Sequence, residues 1–151
     1  MLATNNDITF KKLSRFELLN PHLQEKLVKF LFHSLEQFRD PERDIRACLD
    51  YILHPDKGGY VFTATDAQAN LKGVVFLAKT HMGLFVPEFL LVYIATDPQC
   101  RGKGVGKGLM QLVTTTVNAP VALHVEHDNP AKKLYEKVGF TNKYTEMRWY
   151  P

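Results

Sequence analysis

Between Glu88 and Thr96 the chain is apolar on both alternating faces. It then enters a turn with glycine at every second position: Gly102, Gly104, Gly106 and Gly108. A strand apolar on both faces belongs in the middle of a sheet, covered from both sides. Leu90, Val92 and Ile94 are expected to point one way, and Phe89, Leu91, Tyr93 and Ala95 the other. Beyond the turn, Val105, Leu109, Leu112, Val113 and Thr116 or Val117 recur at helical spacing. A buried strand feeding a helix through a glycine turn commits the chain to a layered α/β architecture.

The flanking segments extend that frame. Asp7 to Leu13 alternates weakly and reads as a first strand. Pro21 opens a helix carrying Leu23, Leu27, Phe30, Leu31, Leu35 and Phe38 at helical spacing. Asp40-Pro41 opens a second helix with Ile45, Leu49 and Ile52 inward. His54 to Gly59 is a turn, and Tyr60–Thr65 and Leu71–Lys79 read as an antiparallel pair around a loop at Asp66–Asn70. Val121 to His127 is a strand, Asp128-Asn129-Pro130 caps a last helix that Gly139 ends, and Phe140 to Tyr150 is extended. The expected fold class is α/β: a mixed sheet with helices on both faces, in one domain spanning residues 1–151.

The turn also has chemistry. Glycines let backbone approach a ligand closely, and a helix start offers unpaired N–H groups and the positive end of the dipole. Arg101, Lys103 and Lys107 add positive charge, so a diphosphate ligand fits better than a turn that binds nothing. Two common diphosphate loops fail on spacing. The nucleotide-triphosphate loop needs glycine five residues before Gly106-Lys107, where Arg101 stands, and Ser or Thr where Gly108 stands. The dinucleotide fingerprint fails because its last glycine falls on Lys107 or Leu109.

Gln99-Cys100-Arg101-Gly102-Lys103-Gly104 resembles, position by position, the coenzyme A signature of the GCN5-related N-acetyltransferase (GNAT) family, Gln/Arg-x-x-Gly-x-Gly/Ala. The preceding Ile94-Ala95-Thr96-Asp97-Pro98 resembles the end of that family's central strand. Asn129 followed by Leu134-Tyr135-Glu136-Lys137-Val138-Gly139-Phe140 resembles its later helix. The resemblance is specific from Glu88 to Phe140. It implies a GNAT-like sheet whose central strand splays from the next. It also implies transfer of an acetyl group from acetyl-CoA to an amine. By this similarity the amides of Arg101, Gly102, Lys103, Gly104, Val105 and Gly106 hold the pyrophosphate, with their cations toward the cofactor. Backbone near Ile94 and Thr96 follows the pantetheine arm, and Asn129 contacts coenzyme A or simply caps its helix. Tyr135 matches the tyrosine that protonates the leaving thiolate, although it also falls on the apolar stripe of its helix.

The incoming ammonium must lose a proton. Glu88 stands eleven residues before Gln99, the spacing of the base glutamate in the histone-acetylating branch, and equally reads as an ordinary strand-end glutamate. His124 is the second candidate, because imidazole changes charge near neutral pH; Glu126 shares its strand face and His127 points away. The ending Gly139-Phe140-Thr141-Asn142…Glu146-Met147 resembles glucosamine-6-phosphate acetyltransferases, some of which exchange their last strand, so a homodimer through the C-terminal strand is expected. The acidic pair of that branch is replaced here by Val92-Tyr93, so its substrate is not implied.

Charge and composition narrow the partners. A net charge of +3 with no basic stripe argues against nucleic acid. No stretch reaches the ~20 apolar residues of a membrane span. Met1 to Lys12 lacks the apolar core of a secretory leader, and Cys48 and Cys100 lack ligand spacing, so a cytoplasmic chain with reduced thiols and no metal is expected. The acceptor is expected to be a small-molecule or peptide amine. Its cleft would lie between Pro21–Leu53 and the loop at Met82–Pro87, with Phe32, Phe38, Tyr51 and Phe85 as aromatic candidates. Two alternatives stand: a coenzyme A-binding sensor of the same fold without turnover, and an enzyme using another acyl-CoA or acceptor.

Overall fold

A computed structural model describes residues 7–151; residues 1–6 of the segment read for a leader lie outside the described residues. In chain order the elements are β1 (Thr9–Lys12), α1 (Arg15–Leu18), α2 (Pro21–Ser34), a 3₁₀ turn (Glu36–Phe38), α3 (Glu42–Leu53), β2 (Gly59–Thr65), β3 (Leu71–Lys79), β4 (Phe89–Thr96), a second 3₁₀ turn (Pro98–Cys100), α4 (Val105–Val117), β5 (Val121–Leu123) and α5 (Ala131–Lys137). The strands form one sheet in the order β1-β2-β3-β4-β5, antiparallel throughout except for the parallel pair β4–β5. This is the α/β class expected from the sequence.

Helices cover both faces. Leu27, Val28 and Leu31 of α2 and Ile45, Leu49 and Ile52 of α3 pack with Val61, Val74, Phe76, Tyr93 and Ala95. On the other face Val105, Leu109, Met110 and Val113 of α4 and Tyr135 of α5 pack with Phe62, Ala64, Val75, Leu77, Phe89 and Leu91. Gly73 lets α4 lie close to β3: a Cβ there would stand 2.6 Å from Leu109 Cδ1. Asn20 starts α2 by accepting from the His22 N–H at 2.9 Å, with Pro21 at the first helical position.

Three expectations need correction. The first concerns β4. Phe76 pairs with Tyr93 but Leu77 pairs with Leu91, so Val92 is an extra residue, a β-bulge. The bulge reverses the alternation. Phe89 and Leu91 pack toward α4 while Tyr93 and Ala95 pack toward α2 and α3, so the four do not share a face. The second concerns α1, which periodicity does not reveal. It forms because Ser14-Arg15-Phe16-Glu17 is a capping box: Ser14 Oγ accepts from the Glu17 N–H at 3.0 Å and Glu17 Oε1 accepts from the Ser14 N–H at 2.9 Å. The third concerns the chain after Phe140, which joins no strand of the sheet; Tyr144, Met147, Trp149 and Tyr150 are exposed.

Candidate active site

β4 and β5 pair only at Phe89–Val121, Leu90–Ala122 and Leu91–Leu123. Above Leu91 the bulge turns β4 one way, while β5 ends and the chain leaves through His124–Asn129. The β5-facing edge of β4 from Val92 to Thr96 therefore has no strand partner among the described residues. Backbone donors and acceptors along that edge need partners, and an extended ligand with amides of its own can supply them. Ile94 and Thr96, expected from the sequence to follow the pantetheine arm, are half-buried on this open edge. The mouth of the wedge is tight. A Cβ on Gly106 would stand 2.9 Å from Leu134 Cδ2 and 3.7 Å from Thr96 Cγ2, so β4, α4 and α5 converge there.

The glycine turn sits at that mouth. Asp97 anchors it, its Oδ1 accepting from the Gln99 N–H at 2.9 Å and its Oδ2 lying 3.2 Å from Lys72 Nζ. These contacts, the Gln99 N–H first, hold the Asp97 carboxyl below the usual aspartate value. Gly102 (φ 80°) and Gly104 (φ 85°) take left-handed conformations that β-carbons disfavour, and a Cβ at either would meet nothing within 4 Å. The N–H groups of Gly102, Gly104, Val105 and Gly106 find no acceptor among the described residues. An open surface presenting unpaired donors at a helix start fits the diphosphate of coenzyme A.

The Arg101 side chain departs from expectation. Its guanidinium does not extend over the turn. It reaches Glu36 Oε1 at 2.5 Å and the Ser34 carbonyl at 2.7 Å, at the end of α2. Lys103 and Lys107 remain exposed, with no ion-pair partner among the described residues.

Tyr135 lies buried on α5, in the apolar cluster that also contains Ile94, Leu123 and Val125 of the diverging strands and the loop after them. Burial pushes its phenol up to about 12. The helix end fixes its ring. The Phe140 N–H bonds the Tyr135 carbonyl at 2.9 Å, the Gly139 N–H bonds Glu136 at 3.1 Å, and Gly139 has φ 106°. This is a Schellman motif, and its apolar contact is the Tyr135–Phe140 ring pair, 6.2 Å between centroids. The Leu-Tyr-Glu-x-x-Gly-Phe pattern thus encodes a geometry that seats the tyrosine.

The remaining candidates are spread along the wedge. Asn129 is half-buried and its Oδ1 accepts from the Ala131 N–H at 2.9 Å, so it performs the capping role. His124 is exposed, one residue past the last β4–β5 pair and level with the bulge. Glu88 is exposed just before β4, at the closed end of the wedge; its carbonyl accepts from the Thr80 N–H at 2.9 Å. Glu126 and His127 are exposed in the loop after β5. Phe85 is exposed in its loop, whereas Tyr51 is taken up structurally, donating to the Lys79 carbonyl at 2.6 Å. A pair the sequence did not single out is Tyr93 and Asp40. The Tyr93 hydroxyl donates to Asp40 Oδ2 at 2.6 Å, and burial, with the carboxylate beside it, raises the phenol's pKa. Only a fold-level pairing of β4 with the α2–α3 corner brings them together. Cys48 is shielded, its thiol pushed up to about 12 by burial.

The family model described as "Acetyltransferase (GNAT) domain" matches residues 57–142. The chain belongs to the GCN5-related N-acetyltransferase family. No curated protein matches it in sequence. Solved structures share its fold at low identity. One is an aminoglycoside acetyltransferase from an uncultured soil metagenomic sample, in complex with trehalose (TM-score 0.69, 18% identity, 97% of each chain covered). Another is an aminoglycoside N-acetyltransferase in complex with coenzyme A (TM-score 0.69, 19% identity, 100% of this chain and 99% of that one). A third is a ribosomal-protein-alanine N-acetyltransferase from Brucella melitensis biovar Abortus 2308 (TM-score 0.66, 16% identity, 95% of this chain and 98% of that one).

Proposed function

We propose that residues 1–151 form one acetyltransferase domain that moves the acetyl group of acetyl-CoA onto a primary amine of a small molecule or peptide, with both substrates bound together. The observation that carries this reading is the conjunction of an unpaired β4 edge with the orphan N–H groups of Gly102, Gly104, Val105 and Gly106 at its mouth. When bound, acetyl-CoA supplies the activated acetyl thioester. The turn amides orient the diphosphate, and the Ile94 and Thr96 backbone aligns the arm. Beyond Leu91 the β5-facing backbone donors of β4 have no strand partner among the described residues and border the wedge, suited to polarising a carbonyl oxygen.

Tyr135 holds its phenol proton at neutral pH, as an unperturbed phenol also does, and its place on α5 beside the wedge lets it donate that proton to a leaving thiolate. His124, level with the bulge, takes the ammonium proton directly; Glu88 at the closed end serves through water. Asn129, by capping α5, holds Tyr135 in place and stands at the cofactor side. We further propose a homodimer in which residues 141–151, unpaired and rich in exposed aromatics, complete the open sheet of a second copy.

The test is acetyl-CoA-dependent thiol release across an amine panel that includes aminoglycosides and peptides with N-terminal alanine. Turnover of one class supports transfer and identifies the acceptor. Cofactor binding with no turnover on any amine points instead to a coenzyme A-binding module. Comparing His124→Ala with Glu88→Gln assigns the proton acceptor.

A further inference from the structure

The corner between α2 and α3, residues 34–40, is tied at two places to elements that line the cofactor wedge. Arg101, inside the glycine turn, donates through Nη2 to the Ser34 carbonyl at 2.7 Å and through Nη1 to Glu36 Oε1 at 2.5 Å. Tyr93, one residue beyond the β4 bulge, donates to Asp40 at 2.6 Å. Between these ties the corner has little regular structure of its own. Glu36 takes a left-handed φ of 53°, and Arg39 folds back, its Nε donating to the Glu36 carbonyl at 2.8 Å and its guanidinium covering the Phe32 ring at 4.5 Å.

Ser34 ends α2, and helix-end carbonyls lack intrahelical partners. Arg101 satisfies this one from 67 residues away in sequence. A planar guanidinium suits two acceptors at once, which a lysine ammonium would not bridge as rigidly. With two donors committed to the corner, the side chain points away from the surface where the orphan amides of the turn gather.

We propose that Arg101 is a positioning residue for the acceptor-binding wall, not a diphosphate ligand through its side chain. This rests on the acetyltransferase reading above. Its backbone belongs to the cofactor turn while its side chain sets the α2–α3 corner, so the two substrate sites share one residue. Phe38, half-buried in the corner, and Phe32 beneath Arg39 then present a fixed surface to the acceptor.

The test uses the full chain with Glu36→Gln and Arg101→Ala, reading calorimetric acetyl-CoA affinity and amide hydrogen exchange. Exchange across residues 34–40 should quicken about threefold in Glu36→Gln and about tenfold in Arg101→Ala, which also leaves the Ser34 carbonyl without its partner, while α4 amides keep their protection. Acetyl-CoA affinity should stay within about threefold of wild type in Glu36→Gln, because the orphan amides of the turn are untouched. With an acceptor in hand, its KM should rise about fivefold with kcat within about twofold. Unchanged exchange at 34–40 overturns the proposal. So does a tenfold loss of acetyl-CoA affinity in Arg101→Ala that Glu36→Gln does not share, since the guanidinium then serves the diphosphate. If wild type binds no acetyl-CoA, the functional reading fails, while the exchange comparison still decides whether Arg101 sets the corner.

Discussion

Gly139 shows how a single residue supports the proposed chemistry. Its φ of 106° closes α5 so that Phe140 folds back on Tyr135. Gly139→Ala forces a β-carbon into the left-handed region and should cost about 1–2 kcal/mol in thermal or urea unfolding. It should also lower kcat, because the Tyr135 ring loses its seat. Tyr135 itself carries a pH signature. Its phenol is raised from 10.0 to about 12 by burial, so the folded state holds this proton more tightly than the unfolded chain. The resulting stabilisation is complete below pH 10.0 and disappears as pH rises through about 12. Ultraviolet titration should show Tyr93 and Tyr135 titrating late, and Tyr135→Phe should remove one of the two; the variant should bind acetyl-CoA normally and lose about tenfold to a hundredfold in kcat. The Leu-Tyr-Glu-x-x-Gly-Phe pattern made Tyr135 legible in the sequence. Asp40 and Tyr93 were not legible, because residues 53 apart meet only through the packing of a helix corner on β4.

At the scale of elements, the glycine turn is held by neighbours as much as by its glycines. Asp97 caps the 3₁₀ turn, and Lys72 lies between Asp97 and Asp66, 3.2 and 3.8 Å from their carboxylates. The Asp97 carboxyl lies below its ordinary value, so its contribution is full above pH 3.8 and fades as acidification titrates it. Asp97→Ala should remove that acid dependence, loosen the turn and weaken acetyl-CoA binding, which calorimetry at neutral pH would read. Strands and long helices were legible because their apolar period is strong. The β4 bulge was not, since an extra residue in a doubly apolar strand leaves no mark on the pattern, yet it decides that Leu91 and Tyr93 face opposite layers. The capping box of α1 was present as Ser14-x-x-Glu17, but a helix of four residues has no period to find. The half-exposed Arg101–Glu36 pair should contribute only about 0.2–1 kcal/mol to global stability, so Glu36→Gln should unfold within a few degrees of wild type in a thermal melt.

At the scale of the whole molecule, two helical layers cover both faces of the sheet, and beyond Leu91 the β5-facing edge of β4 has no strand partner among the described residues. The order of elements from α2 to α5 and the layering followed from a buried strand, a glycine turn and amphipathic helices, whereas the opening was implied only by the resemblance to the acetyltransferase family. The ending did not follow. Phe140 to Tyr150 was read as extended, and it joins no strand of the sheet, with Tyr144, Met147, Trp149 and Tyr150 exposed. Such a tail is expected to find its partner in a second copy. Light scattering at micromolar concentration should give twice the chain mass of 17.3 kDa, and removal of residues 141–151 should return it to the monomer value. The account stands on the turn being a diphosphate site at the mouth of the wedge, and calorimetric titration of acetyl-CoA into wild type and Gly104→Val tests that most directly. Gly104 has φ 85° and open space before it, so valine strains the turn and covers its donors without striking the core. Micromolar binding to wild type with at least a tenfold loss in the variant is the predicted result; no binding to wild type, or equal binding to both, contradicts it.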